Sequence, residues 1–231
     1  MIQEVLALFL ARMAGGYAVS LGLVGDRVDE GSWRKVSLFT ITGLTIVAWV
    51  AGAAMAPAIA IIAVALVLER AIAFDLPVLK RVVWMLPLGA WFVVATEWDN
   101  TLGVDSGLSA ILAGGTLGTM LMGHSYLTAR GLSFQPLKWM SLLLLAVVVV
   151  RAAFVAPLFF RDGLEMGDVV MLSMRAAFGL FLPLVFGWMV WQCAKIESNQ
   201  SATGILYAMT VGVFIGELIA VYLKLTRGIA A

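Results

Sequence analysis

The sequence predicts an all-α, polytopic bundle of transmembrane helices, with about eight spans (seven as the alternative count), short loops and one transmembrane domain over residues 1–231. Two observations carry this. Of the 231 residues, 62% are hydrophobic and 13% charged, and the mean hydropathy is +1.02. Soluble domains average about 45–50% apolar and ~25% charged, so a chain this apolar must take lipid as solvent for most of its surface. That excludes a soluble enzyme, a disulfide scaffold and a disordered chain. The second observation is that polar interruptions recur at intervals close to the ~20 residues a spanning helix needs.

The first segment, residues 2–24, carries Glu4 where a secretory signal carries basic residues, and no A-x-A site ends it, so it reads as a retained helix. Residues 36–53 and 57–74 follow. Run together they would form a helix of ~58 Å, about twice the hydrocarbon thickness. Gly52 supplies a stop between them and Pro57 a restart at a first helical position. The remaining segments are 82–98, 108–129, 137–160, 169–194 and 202–223. Pro87, Pro157 and Pro183 fall inside helices and are expected to kink them.

Small residues mark where helices approach. Ala110, Gly114 and Gly118 recur every four residues in the fifth segment, and Gly16 with Ser20 does the same in the first, the small-xxx-small pattern of close helix pairs. The glycines at 114, 115 and 118 have neither the preceding strand nor the lysine of a nucleotide loop.

Orientation follows from the short loops. Arg27, Arg34, Lys35, Arg70, Lys80, Arg81, Arg130, Lys138 and Lys195 fall after alternate helices, against Arg161, Lys224 and Arg227 on the other side. The positive-inside rule places the first set in the cytoplasm and both termini outside, as suits a bacterial inner membrane. The acidic loop residues Asp99, Asp105, Asp162, Glu165 and Asp168 agree, and Trp33, Trp84, Trp98, Trp139 and Trp191 fall near the interfaces.

The net charge of +1 and the absence of a basic run exclude nucleic acid as a partner. The one cysteine, Cys193, and the one histidine, His124, cannot together build a zinc site. No Ser/His/Asp set shares a depth, no H-E-x-x-H occurs, and no catalytic residue is assigned.

Charges at membrane depth each require a partner or a role. Counted from the helix ends, Arg151, Arg175 and Glu217 fall at one depth, roughly 10 to 13 Å below the outer surface. They leave a surplus of positive charge unless Glu97 reaches in, so an acidic ligand, a haem propionate, a quinone oxygen or a neighbouring subunit's carboxylate is a candidate partner. A structural salt-bridge network is the alternative. Nearer the cytoplasm the count places His124, Tyr126, Glu69, Gln192 and Tyr207, with Arg12 near the midplane between the layers. His124 is a candidate haem ligand, quinone donor or proton carrier. The expected cofactor-binding set is therefore His124, Arg151 and Arg175, and the expected proton or ion path Arg12, Glu69, Tyr126, Tyr207 and Glu217.

These residues point first to a membrane subunit of a multi-subunit energy-transducing or electron-transfer complex, with a quinone, haem or proton-relay site. Other membrane subunits or further copies of the chain would be its partners. The alternatives are a stand-alone transporter of protons, ions or a small anionic solute, and a scaffold.

Overall fold

The computed structural model describes residues 1–24, 32–52, 104–128 and 133–229. All regular structure among them is helical: α1 (Ile2–Val24), α2 (Ser32–Val50), α3 (Val104–Thr128), α4 (Gln135–Val155), α5 (Met166–Ala176), α6 (Leu182–Lys195) and α7 (Asn199–Arg227). A short 3-10 turn, Ala156–Phe160, extends α4, and a π-helical stretch, Ala177–Phe181, joins α5 to α6 as one long rod. Four of the described segments are long and apolar enough to cross a bilayer: Val104–Leu127, Gln135–Phe160, Met166–Lys195 and Asn199–Arg227. Large apolar side chains such as Phe39, Phe160, Phe181, Trp188 and Val211 face outward, which is compatible with a membrane protein. The predicted segments 57–74 and 82–98, with Glu69, Pro87 and Glu97, lie outside the described residues. The count of eight spans therefore has no structural counterpart here.

The predicted helix ends agree with the observed ones to within a few residues, and two of them carry a glycine stop. After α2 the chain turns at Gly52, whose φ of +107° lies in the region that favours glycine. Gly228 closes α7 in the left-handed conformation at φ 63°, and the next amide, of Ile229, reaches back to the Leu223 carbonyl at 3.3 Å. Lys224 and Arg227 in that last turn complement the negative end of the helix dipole.

The glycines set which helices touch. α3 packs against α1, α4 and α7, and α7 also packs against α5, the π stretch and α6. In lipid, helices gain little from apolar burial against one another, so close backbone contact must hold them. A Cβ on Gly16 would overlap the Ala110 carbonyl, one on Gly114 the backbone of Met13 and Tyr17, and one on Gly118 the Ser20 hydroxyl. The two small-residue stripes legible in the sequence are thus the two faces of one contact.

The prolines act differently from one another. Pro157 sits in the 3-10 turn that ends α4. Pro183 has no N–H to offer the Gly179 carbonyl, four residues back. The preceding turn is widened, with the Leu182 amide bonding the Ala177 carbonyl.

Candidate functional site

Five helices bring polar side chains together at the end of the bundle where α3 starts and α7 finishes. Arg151 of α4 and Arg175 of α5 are fully buried, as is Glu217 of α7, and Arg12 of α1 is 2% exposed. Glu217 is the hub. One carboxylate oxygen, Oε1, accepts from Arg151 Nη1 and lies 3.2 Å from Arg175 Nη2. The other, Oε2, accepts from the Ser109 hydroxyl at 2.5 Å.

The network continues on both sides of the hub. Arg151 Nη2 donates to Asp105 Oδ1 at 2.9 Å, so this guanidinium bridges two carboxylates. Arg12 donates from Nη1 to Ser109 at 3.2 Å and from Nη2 to Ser106 at 3.1 Å. Lys224 Nζ, two turns beyond Glu217 on α7, also donates to Ser106, at 3.3 Å. Among the described residues the cluster holds four cationic side chains, Arg12, Arg151, Arg175 and Lys224, against the two carboxylates Asp105 and Glu217.

Arg175 differs from the other cations. It is ion-paired with Glu217, yet Nε, Nη1 and Nη2 all lack a hydrogen-bond acceptor among the described residues. An unsatisfied buried donor costs about 1–3 kcal/mol, and more when the group is charged. Backbone shape holds it there. The guanidinium folds along its own rod, so that Nη1 occupies the space a Cβ on Gly179 would need. Gly179 in turn lies against Gly216, where a Cβ would overlap the Gly179 backbone. The π stretch thus lies directly beneath the guanidinium, and such distortions often mark functional sites.

The second predicted layer is only partly assembled. His124 Nδ1 and the Tyr207 hydroxyl are 3.1 Å apart, and both side chains are exposed on the bundle exterior. Tyr126 donates to the Ser133 carbonyl at 2.6 Å and stacks on Phe134, closing the corner between α3 and α4. Gln192 is exposed on α6. Trp139 lies exposed at the start of α4, and Trp191 carries Lys195 Nζ 4.3 Å from its ring at the end of α6.

The structure therefore separates the predicted cofactor set. Tyr207 and Glu217 are ten residues apart on α7, about 15 Å along the axis. A small ligand on His124 does not reach Arg151 and Arg175. Between the levels, Thr116, Thr119 and Thr210 donate to carbonyls of their own helices, and none links the two ends. Arg12, expected between the layers, is instead joined to Ser106, Ser109 and, through Ser109, Glu217.

Asp105, Ser106, Ser109 and Lys224 are site residues that sequence reasoning missed. The available signal was periodicity: Asp105, Ser106 and Ser109 lie within one turn of α3, and Glu217 and Lys224 are seven apart on one face of α7. Among the described residues no group of three or more His, Cys, Asp or Glu is placed to hold a metal ion. An open apolar groove of about 700 Å³ runs between α4 and the π stretch, lined by Ala152, Val155, Leu180 and Phe181 among others. Comparison with protein families, with curated proteins and with solved structures returned no match.

Proposed function

We propose that the chain is a membrane-embedded carrier for a small monovalent anion, with Arg175 as the central ligand. The observation that carries this reading is the Arg175 guanidinium, fully buried, cationic and, among the described residues, without a hydrogen-bond acceptor on any of its three nitrogens. A planar oxyanion of the carboxylate or nitrate type would supply acceptors in the geometry a guanidinium favours. Arg151 adds attraction, and Lys224, closest to the helix ends, offers a first cation on the way in.

The remaining expectations fit this reading as proposals: about eight spans, a bacterial inner membrane, both termini outside and assembly with further copies or other subunits. The test is flux. Full-length protein in vesicles should take up nitrate faster than empty vesicles, and Arg175→Gln should abolish the difference while remaining folded. Equal uptake by that variant would remove Arg175 from the site.

A second reading has its own observation. His124 uses Nδ1 toward Tyr207 and is exposed on the bundle exterior, where a partner subunit could present a haem or quinone to Nε2. This is the energy-transducing or electron-transfer subunit expected from the sequence. An absorbance spectrum of the protein purified with its native partners tests it, and absence of any chromophore together with absence of partners would count against it.

A further inference from the structure

We propose that anion binding at Arg175 is coupled to protonation of Glu217, so that one proton enters the site with each anion. The inference rests on the anion-binding reading above and deepens it. Glu217 Oε1 is shared by Arg151 and Arg175, which is the place a free carboxylate or nitrate would take between two guanidiniums. The Glu217 side chain is thus a tethered anion occupying the position of the substrate.

Two negative groups at that position would repel each other in a low-dielectric setting, where Coulomb energies between neighbouring charges are large. A neutral carboxylic acid would not. Once Glu217 carries a proton, Arg175 loses its ionic partner and Arg151 retains Asp105, so the guanidinium that lacks acceptors among the described residues becomes the favoured position for the incoming anion. The proton remains on a Glu217 oxygen, and no bond other than O–H forms. When the proton leaves, the carboxylate reclaims Arg175 and displaces the anion.

Among the described residues, the charged groups facing Glu217 from the packed elements are few. Arg151 approaches from α4 and Arg175 from α5, while α3 presents Ser109 directly and Asp105 through Arg151. α1 contributes Arg12 by way of Ser109, and Lys224 follows on α7 itself, joined through Ser106. Of the described carboxylates only Glu217 touches Arg175. Among the described residues Asp105 is ion-paired with Arg151.

The experiment is a nitrate titration of the full-length protein in lipid nanodiscs across pH 5 to 8, with proton uptake measured from binding heats in buffers of different ionisation enthalpy. Nitrate stays charged throughout this range. Affinity should weaken about tenfold per pH unit wherever Glu217 is ionised before binding, the limit for one linked proton. Glu217→Gln should bind nitrate with no such slope and no proton uptake, and Glu165→Gln, at an exposed carboxylate outside the cluster, should keep both. A flat wild-type affinity without proton uptake would overturn the coupling while leaving the anion site intact, and it decides the matter even if Glu217→Gln does not fold. An unchanged slope in Glu217→Gln, or a slope lost in Glu165→Gln, would also overturn it. No nitrate binding by wild type at any pH would defeat the anion-binding reading itself.

Discussion

Arg175 Nη1 lies in the volume that a side chain at Gly179 would fill, and Gly179 itself rests on the backbone of Gly216. The position of the buried cation is therefore set by two missing methyl groups. Gly179→Ala would push the guanidinium off its seat, whereas Gly216→Ala would push two backbones apart. Overpacking of this kind costs about 1–3 kcal/mol. Both variants should unfold at lower temperature, Gly216→Ala more so because its clash is with backbone and cannot be relieved by a rotamer change. Thermal unfolding in detergent checks the order.

The contact between α1 and α3 should be equally sensitive. Gly114→Ala places a methyl group against the backbone of Met13 and Tyr17, and it should destabilise by about 1–3 kcal/mol. Gly43 of α2 has open space around the position of a Cβ, so Gly43→Ala should be neutral or slightly stabilising through helix propensity. A Gly114→Ala protein as stable as wild type would mean that the two helices do not meet at this stripe.

Glu217 should matter more to stability than any other carboxylate among the described residues. Removing one partner of a buried ion pair costs about 3–5 kcal/mol, because the other charge is left uncompensated. Glu217→Ala leaves Arg175 without its ionic partner and strips Arg151 of one of two carboxylates. Glu217→Ala combined with Arg175→Met should recover part of the loss. Measured by thermal unfolding of the two single variants and the double variant, strict additivity would contradict a direct interaction.

The ion pairs near the ends of α5 and α7 should contribute little. Arg227 is 46% exposed and reaches Asp168 at 3.2 Å and Glu165 at 3.4 Å. The Glu165 pair is exposed on both sides and the Asp168 pair on the Arg227 side only, and pairs open to water are worth about 0–1 kcal/mol. Arg227→Ala should shift the unfolding temperature only slightly, and the small shift should shrink further in high salt.

Much of this site is legible in the sequence, for a physical reason that also explains what is not. Arg151, Arg175 and Glu217 stand out because each interrupts an apolar stretch, where a charge demands an account. Asp105 and Lys224 lie near helix ends, where charges are ordinary, and Ser106 and Ser109 are small polar residues that helices carry without consequence. None of these four is exceptional until the neighbouring helix is seen. Arg12 was placed too far from the cluster because counting along one helix ignores side-chain reach, and a long guanidinium stem can extend about a turn beyond its own Cα. The helix ends and the glycine stripe on α3 depend on local signals and were readable. The π stretch packs Gly179 against Gly216, 37 positions away along the chain, and Pro183 alone announces only a kink.

The central claim is that Arg175 is a ligand for an anion, and thermal unfolding with added nitrate tests it most directly. A ligand that binds the folded state raises the unfolding temperature progressively once its concentration exceeds the dissociation constant. Wild type should show such a rise with nitrate beyond that seen with an equal concentration of a large organic anion, and Arg175→Gln should show none. Equal shifts in wild type and Arg175→Gln would contradict the claim.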